Sequence, residues 1–347
     1  MITHVRIQNF RSFLDAEVDL QPFSLIVGAN GSGKSNFLKF FAEISVGVQP
    51  ATSDGDSYGA SAETHKGPFK LNPMNPGWVR HQNGPEHSAG FEVMVDQIAV
   101  KGSMGISKPA IVLLKPFLPW QGKGLTIFNI DPEKVSAVET TIPTPTVKAT
   151  GEGTAQVLDT LKNGDREDLF EKIEENFRRY VPEVEKLSLK TVENGKKQIQ
   201  VREKGLKVSL PATELSEGTR LILCILTIIH QENPPPVILL EDVDRGMHPR
   251  LFEYVAPLMR DIAERNNISI LATTHNPYLV DCFQDHKDAV IIVEKKDGAS
   301  TLTTLAKKLE GLEYDETVDP EDMPLGSLWY SGLIGGTPKK ISSAVRH

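Results

Sequence analysis

Leu239-Leu240-Glu241-Asp242-Val243-Asp244 closes an apolar run that opens at Pro236 and passes through Val237 and Ile238. Two adjacent carboxylates therefore stand where a buried strand ends. Such a pair divides labour at a metal–phosphate site, one side chain serving the cation and the other the attacking water. A carboxylate pair in a surface turn is the plain alternative. So apolar a strand directly before the pair argues against it.

The N-terminal region supplies the phosphate side of that chemistry. Gly28-Ala29-Asn30-Gly31-Ser32-Gly33-Lys34-Ser35 completes the pattern G-x-x-x-x-G-K-[ST]. An apolar strand, Phe23 to Val27, precedes it and a helix beginning near Lys34 follows, as this loop requires. Glycines are needed because backbone N–H groups curl around phosphate oxygens only where no Cβ obstructs them. The pattern assigns Lys34 to the β- and γ-phosphates and the Ser35 hydroxyl to Mg²⁺. The helix behind them points its positive end at the anion. Asn30, Gly31, Ser32, Gly33 and Asn36 are the remaining candidate nucleotide contacts. ATP and Mg²⁺ are the expected cofactors, although these residues do not separate ATP from GTP.

A phosphate-binding loop leaves the class of nucleotide enzyme open, and two further stretches bear on it. Leu215-Ser216-Glu217-Gly218-Thr219-Arg220 opens an apolar helix over 217–231, ahead of the carboxylates. Taken alone, Ser216 is a plausible helix N-cap and nothing more. His275 ends the strand 268–272 through Thr273-Thr274, and a lone histidine at a strand end is ordinarily structural. Ligands of open α/β sheets, however, collect at the C-terminal strand ends. The glycine loop, the Glu241-Asp242 pair and His275 each follow such a strand.

Together with Ile7-Gln8-Asn9-Phe10-Arg11-Ser12-Phe13 at the start and Gly246-Met247-His248-Pro249 after the carboxylates, these motifs resemble the RecF/SMC-like branch of ABC-type ATPases. Within it they are most similar to the bacterial AAA-family group related to the ATPase half of the overcoming-lysogenization-defect (OLD) nucleases. The likeness covers roughly 1–45 and 150–295. Gly326 to Gly332, with Gly335-Gly336, is similar to the tail of stand-alone members.

That resemblance implies roles. Ser216 and Gly218 would grip the γ-phosphate of ATP held by an opposite subunit, and His275 would be the switch histidine. The carboxylate pair of ABC-type ATPases reads Asp-Glu. Here the order is inverted, so Glu241 takes the metal side with Ser35, and Asp242 takes the water side. Aspartate is one methylene shorter, and a displacement of about 1 Å costs on the order of a hundredfold in rate. Slow basal hydrolysis is expected, with Asp244 as a substitute base. The implied assembly is an ATP-sandwiched homodimer, with higher oligomers left open. It would drive a nucleic-acid-acting partner in anti-phage defence or DNA repair. Some seventy residues follow His275, too few for the metal-binding domain of nuclease-fused relatives, so a separate nuclease-like or toxin-like partner is expected. The glutamine of the usual Q-loop stays open between Gln82 and Gln97. A clamp with negligible turnover that holds such a partner is the second reading. A transporter subunit is the third, opposed by the Asn-Phe-Arg-Ser-Phe opening.

Composition sets the setting. Of 347 residues, 39% are apolar and 24% charged, the balance of an ordinary soluble chain with a real core. Cys224 and Cys282 are the only cysteines and both lie in apolar stretches, which excludes a disulfide framework and points to a reducing cytoplasm. The start lacks the basic and apolar regions of a signal peptide. No apolar segment approaches the ~20 residues that span a bilayer, so no membrane partner is expected. Net charge is −8, so DNA or RNA contact would need a local patch. Lys196, Lys197, Arg202, Lys204 and Lys207, around an Asn194-Gly195 turn, are the candidates; a solvated sheet edge is the plain reading.

The expected fold class is α/β: an ABC-type P-loop NTPase head with a mainly parallel core sheet, an N-terminal antiparallel β portion and a small helical insert. It is expected as one domain over 1–347. N-terminal strands and P-loop occupy 1–45, a loop-rich β insert 46–150, and a helical piece 151–185. The signature, carboxylate and switch-histidine core follows over 186–295, then a tail over 296–347. Strands are predicted at 91–100 and 110–114, loops over 132–165, and a helix from Asp165 with Leu169, Ile173, Phe177 and Tyr180 on its apolar face.

Overall fold

The computed structural model describes residues 1–46, 49–50, 69–70, 88–96, 98–105, 111–113, 124–311 and 323–337. Two compact units divide the chain: Met1–Leu125 together with Thr273–His347, and Thr126–Ala272.

The first unit opens with β1 (Ile2–Phe10) antiparallel to β2 (Phe13–Asp19). Asn9 and Arg11 hold φ of 53° and 51°, which folds the connection tightly enough for Phe10 and Phe13 to face each other in register. Both rings are fully buried. The wholly buried β3 (Phe23–Val27) leads through the glycine loop into α1 (Lys34–Val46). From α1, Phe40 and Phe37 meet those rings, Phe10–Phe40 centroids lying 5.6 Å apart and Phe13–Phe37 6.3 Å, both edge-on, and Phe41 packs edge-on against Phe37 and Phe40. Such pairs are worth about 0.5–1.5 kcal/mol each beyond burial. The Asn-Phe-Arg-Ser-Phe stretch thus anchors the helix that the glycine loop opens.

A short antiparallel pair, β4 (Gln49–Pro50) and β5 (Phe69–Lys70), follows. Next come β6 (Ser88–Val95), β7 (Ile98–Gly105) and β8 (Ile111–Leu113), which extend the first sheet in the order β2-β1-β6-β7-β8. The single strand predicted over 91–100 is therefore two. Asp96, with φ 47°, turns the chain left-handed, a conformation aspartate tolerates better than most residues. Of the loop-rich β insert expected over 46–150, residues 47–48, 51–68, 71–87, 97, 106–110 and 114–123, among them the candidates Gln82 and Gln97, lie outside the described residues.

The second unit begins with β9 (Ile127–Phe128), α2 (Pro132–Val135) and α3 (Thr154–Asn163). The loops predicted over 132–165 thus contain a ten-residue helix. Its start has no side-chain cap of its own. Instead the buried Glu139 carboxylate accepts the Gly153 N–H at 2.5 Å and the Gln156 N–H at 3.4 Å, satisfying free amides of the first turn from a distance in sequence. Burial pushes the Glu139 carboxyl above its usual range, with those amides opposing. Helix α4 (Glu167–Tyr180) buries Phe170, Ile173, Phe177 and Tyr180; Phe170 takes the core place that the sequence gives to Leu169, which is only partly covered. An antiparallel sheet of β10 (Val184–Thr191), β11 (Lys197–Glu203) and β12 (Leu210–Pro211) follows. Asn194 and Gly195 have positive φ, 58° and 71°, in its first turn.

Helix α5 (Glu217–His230) is buried on almost every face. It precedes β13 (Val237–Leu240), α6 (Phe252–Arg265) and β14 (Ser269–Thr273). β13 runs parallel to β14 and to β9, and every residue of β13 and β14 is buried, as parallel strands covered on both faces require.

Back in the first unit come α7 (Pro277–Asp281), β15 (Val290–Lys296), β16 (Ala299–Thr304), α8 (Leu305–Glu310) and α9 (Leu325–Ser331). β15 lies parallel to β3 and antiparallel to β16. Helix α9 sits close on α7: a Cβ at Gly326 would fall 2.2 Å from the Pro277 carbonyl, and Asp281 accepts the Gly326 N–H at 2.7 Å. Among the described residues no helix is long and apolar enough to cross a membrane. Cys224 is fully buried and its thiol is pushed up to about 12, which leaves it inert near neutral pH.

Candidate nucleotide site

In the first unit the glycine loop is built tightly. A Cβ at Gly28 would lie 2.3 Å from the Val293 carbonyl of β15, so the strand beside the loop admits no side chain there. Gly33 has φ 121°, and a Cβ on it would meet the hydroxyls of Ser300 at 2.6 Å and Ser12 at 2.9 Å. Lys34 is 6% exposed, and its ammonium donates to the Gly28 carbonyl at 2.8 Å and the Ala29 carbonyl at 3.1 Å. Its charge is thereby held inside the curl of the loop. Ser32 Oγ is buried without a hydrogen-bond partner, which costs about 1–3 kcal/mol unless something else bonds it. Asn30 and Gly31 form the exposed rim, and Ser35 and Asn36 are half-buried. The Asn36 amide donates to Ser12 Oγ at 3.0 Å, so its side chain is directed to the chain's own turn.

His275 is exposed and belongs to the same unit. The Thr274 N–H donates to the Ile26 carbonyl at 3.2 Å, which sets His275 one residue beyond a bond to the strand that delivers the loop. Asn276, accepting the Tyr278 N–H at 3.0 Å, caps α7 directly afterwards. The chain tail reaches the loop as well. A Cβ at Gly336 would lie 2.8 Å from Ile292, 3.2 Å from the Trp329 indole nitrogen and 3.6 Å from Gly28 Cα. Gly336 N–H donates to Glu294 at 3.2 Å. We expect Gly336→Val to lower the melting temperature and to weaken ATP binding together, because the branched side chain would push on Gly28. Scanning calorimetry with and without Mg·ATP checks this.

The second unit holds the carboxylates and the signature stretch. Glu241 continues β13, its N–H donating to the Phe128 carbonyl at 2.8 Å. Asp242 then turns to φ 50°, and its carbonyl accepts the Arg245 N–H at 3.0 Å. Both carboxylates are half-buried, while Val243 is buried and pins the turn. A non-glycine residue held left-handed stores on the order of 1–3 kcal/mol, and such strain concentrates at functional sites. Ser216 is exposed and caps α5, accepting the Thr219 N–H at 3.1 Å. Gly218 is buried: a Cβ there would lie 3.3 Å from the Gly246 carbonyl, Leu251 and Met247. The Ser216-Glu217-Gly218 stretch and the Gly246-Met247 loop are thus brought together, Gly218 serving a close backbone approach within its own chain.

The basic candidates are partly neutralised. Lys197 pairs with Asp159 at 3.1 Å, and Arg202 donates to both oxygens of Glu185 at 3.0 Å. Ser12 and Ser300, which line the glycine loop, carry no signal that singles them out in the sequence. Ser12 sits inside a hydrophobic anchor motif, and Ser300 in an ordinary strand.

The glycine cradle, the inward Lys34 and the unpartnered Ser32 hydroxyl fit a nucleotide's phosphates, with Ser35 next in line for a cation. Comparison with known proteins agrees. Residues 154–281 match the family model described as "AAA domain, putative AbiEii toxin, Type IV TA system", and residues 1–45 match the model of an AAA ATPase domain. Among curated proteins none matches the chain. Among solved structures it is similar to the Smc head bound to the C-winged helix domain of ScpA, at 16% identity and TM-score 0.56 over 89% of this chain and 99% of that one. It is also similar to the Smc head with an extended coiled coil bound to the C-terminal domain of ScpA from Pyrococcus furiosus, at 14% identity and TM-score 0.52 over 89% and 98%. The fold is therefore α/β and similar to that of the SMC head, with a mixed, mostly parallel sheet and several helices.

Proposed function

We propose that this chain is one ABC-type ATPase domain, close to the ATPase half of the OLD nucleases. It binds ATP with Mg²⁺, hydrolyses it slowly and pairs head to tail with a second copy. The loop geometry carries this reading: Lys34 held at the Gly28 and Ala29 carbonyls beside a buried, unpartnered Ser32 hydroxyl. Bound Mg·ATP supplies the phosphoryl group that water attacks. Lys34 and the loop amides would hold the phosphates; Ser35 and Glu241 are the residues assigned to the metal. Asp242 orients and polarises the water, and His275 contacts the terminal phosphate. The substrate is ATP, and the cycle gates a nucleic-acid-acting, nuclease-like or toxin-like partner in defence or repair. The matched family's description, which names a toxin–antitoxin system, supports the toxin-like partner. The Smc heads solved with a ScpA domain support a protein partner for this fold. DNA or RNA contact is assigned to Lys196, Lys204 and Lys207, the exposed members of the basic set. Work is done in the cytoplasm.

Phosphate release measured with and without DNA or RNA tests the enzyme reading; zero turnover under both conditions would sink it. A second reading, a nucleotide-held clamp with negligible turnover, draws on Asp242, whose short side chain leaves a strained turn. Pairing has its own test. Ser216 is exposed at the head of α5, so Ser216→Arg should fold normally, bind ATP as a monomer and fail to dimerise. Normal ATP-dependent dimerisation of this variant in sedimentation would show that Ser216 has no role across subunits.

A further inference from the structure

We propose that Ser300 is a positioning residue for nucleotide binding, acting with Ser12 as a two-hydroxyl clamp, one hydroxyl on the backbone of the glycine loop and the other on the Asn36 side chain of the helix behind it. The inference rests on the ATP-binding reading above and extends it to two residues outside the loop. Ser300 lies on β16 and is 1% exposed; Ser12 closes the connection between β1 and β2 and is 8% exposed. The Ser300 hydroxyl donates to the Ser32 carbonyl at 2.5 Å. The Ser300 N–H donates to the Ser12 carbonyl at 2.6 Å, which locks the two serines together. Ser12 Oγ in turn accepts the Asn36 amide at 3.0 Å from the first turn of α1. One hydroxyl therefore holds the loop just before Gly33, and the other holds the helix just after it.

Both hydroxyls converge on Gly33, where a Cβ would collide with each. The peptide between Ser32 and Gly33 carries one of the N–H groups that must face phosphate, and its orientation is set by where its carbonyl points. A carbonyl engaged by Ser300 cannot rotate toward the anion, where its negative end would repel it. Ser300 thus fixes the sign of the dipole presented to the ligand. Neither serine touches a reacting atom, so the effect falls on affinity. ATP and ADP should be affected alike, because the loop cradles phosphates common to both.

The test compares wild type, Ser300→Ala and Ser12→Ala by calorimetric titration with Mg·ATP and Mg·ADP, alongside melting curves and steady-state turnover. We expect Ser300→Ala to raise Kd for both nucleotides about tenfold, with KM rising in step, kcat near wild type and a native melting transition. A merely structural role would lower kcat through a reduced active fraction while leaving KM and Kd alone, and that result overturns the proposal. Unchanged Kd in a folded Ser300→Ala does the same. Should Ser300→Ala fail to fold, Ser300→Cys keeps the volume and weakens the donor; wild-type affinity in that variant also overturns the clamp. If wild type itself binds no nucleotide, and Lys34→Ala is indistinguishable from it, the ATP-binding reading fails and the clamp falls with it. Binding by wild type with no change in either serine variant removes the clamp alone.

Discussion

Lys34→Ala leaves a folded protein that no longer retains ATP. The side chain is 6% exposed, and its ammonium donates to two carbonyls of the loop itself. Alanine removes the charge and leaves both carbonyls without that donor. Hydrogen bonds involving a charged group are worth about 1.5–3 kcal/mol each. Losing even one that phosphate would share raises Kd by roughly one to two orders of magnitude, at about 1.4 kcal/mol per tenfold. Loss of turnover should be more complete, since the charge also offsets what develops on the phosphates during transfer. Calorimetric titration with Mg·ATP and a phosphate-release assay check both. Retained affinity and turnover in Lys34→Ala would remove the nucleotide assignment of the loop. The melting transition should move little, because removing a buried charge relieves a desolvation cost that offsets the two lost bonds, and the phenylalanine cluster and β15 still hold strand, loop and helix.

The loop was legible because its chemistry is local. Glycines, lysine and serine must follow one another in one turn between a strand and a helix, so spacing alone reveals them. The parallel strands were equally plain, since 237–240 is apolar throughout and 269–273 has the apolar centre Ile270-Leu271-Ala272. What the sequence hides is capping and support from a distance. Helix α3 escaped because Glu139, far upstream, does the work of its cap. The predicted strand over 91–100 broke because aspartate at 96 adopts a left-handed turn that alternation does not reveal. Ser300 reaches Ser32 across most of the chain length, and nothing in a β-strand pattern marks one serine as different. Gly218 gives the same lesson. Its place in a signature-like stretch points to a ligand held by an opposite subunit, and nothing in that stretch announces the close approach of the Gly246 and Met247 backbone within its own chain.

The carboxylate pair should fail in two different ways. Asp242 holds a left-handed turn with the Arg245 N–H and the buried Val243, while Glu241, directly after β13, is bonded through its N–H to the Phe128 carbonyl. Asp242→Asn keeps the shape but removes the charge that polarises water. ATP and Mg²⁺ should still bind, turnover should fall by at least about a hundredfold, in the range of general-base loss, and the ATP-held dimer should accumulate. Glu241→Gln should instead weaken the Mg²⁺ dependence and the ATP-bound state itself, since a charge at the metal is lost. Sedimentation with Mg·ATP and a Mg²⁺ titration of ATP affinity separate the two outcomes. Asp242→Glu is the sharper measurement. If the missing methylene limits the rate, glutamate speeds basal phosphate release, at a small cost in melting temperature because it tolerates φ near 50° less well than aspartate. If Asp242→Glu is slower and Asp242→Asn hydrolyses normally, the water is handled by Asp244 or His275, and the division of labour within the pair is wrong.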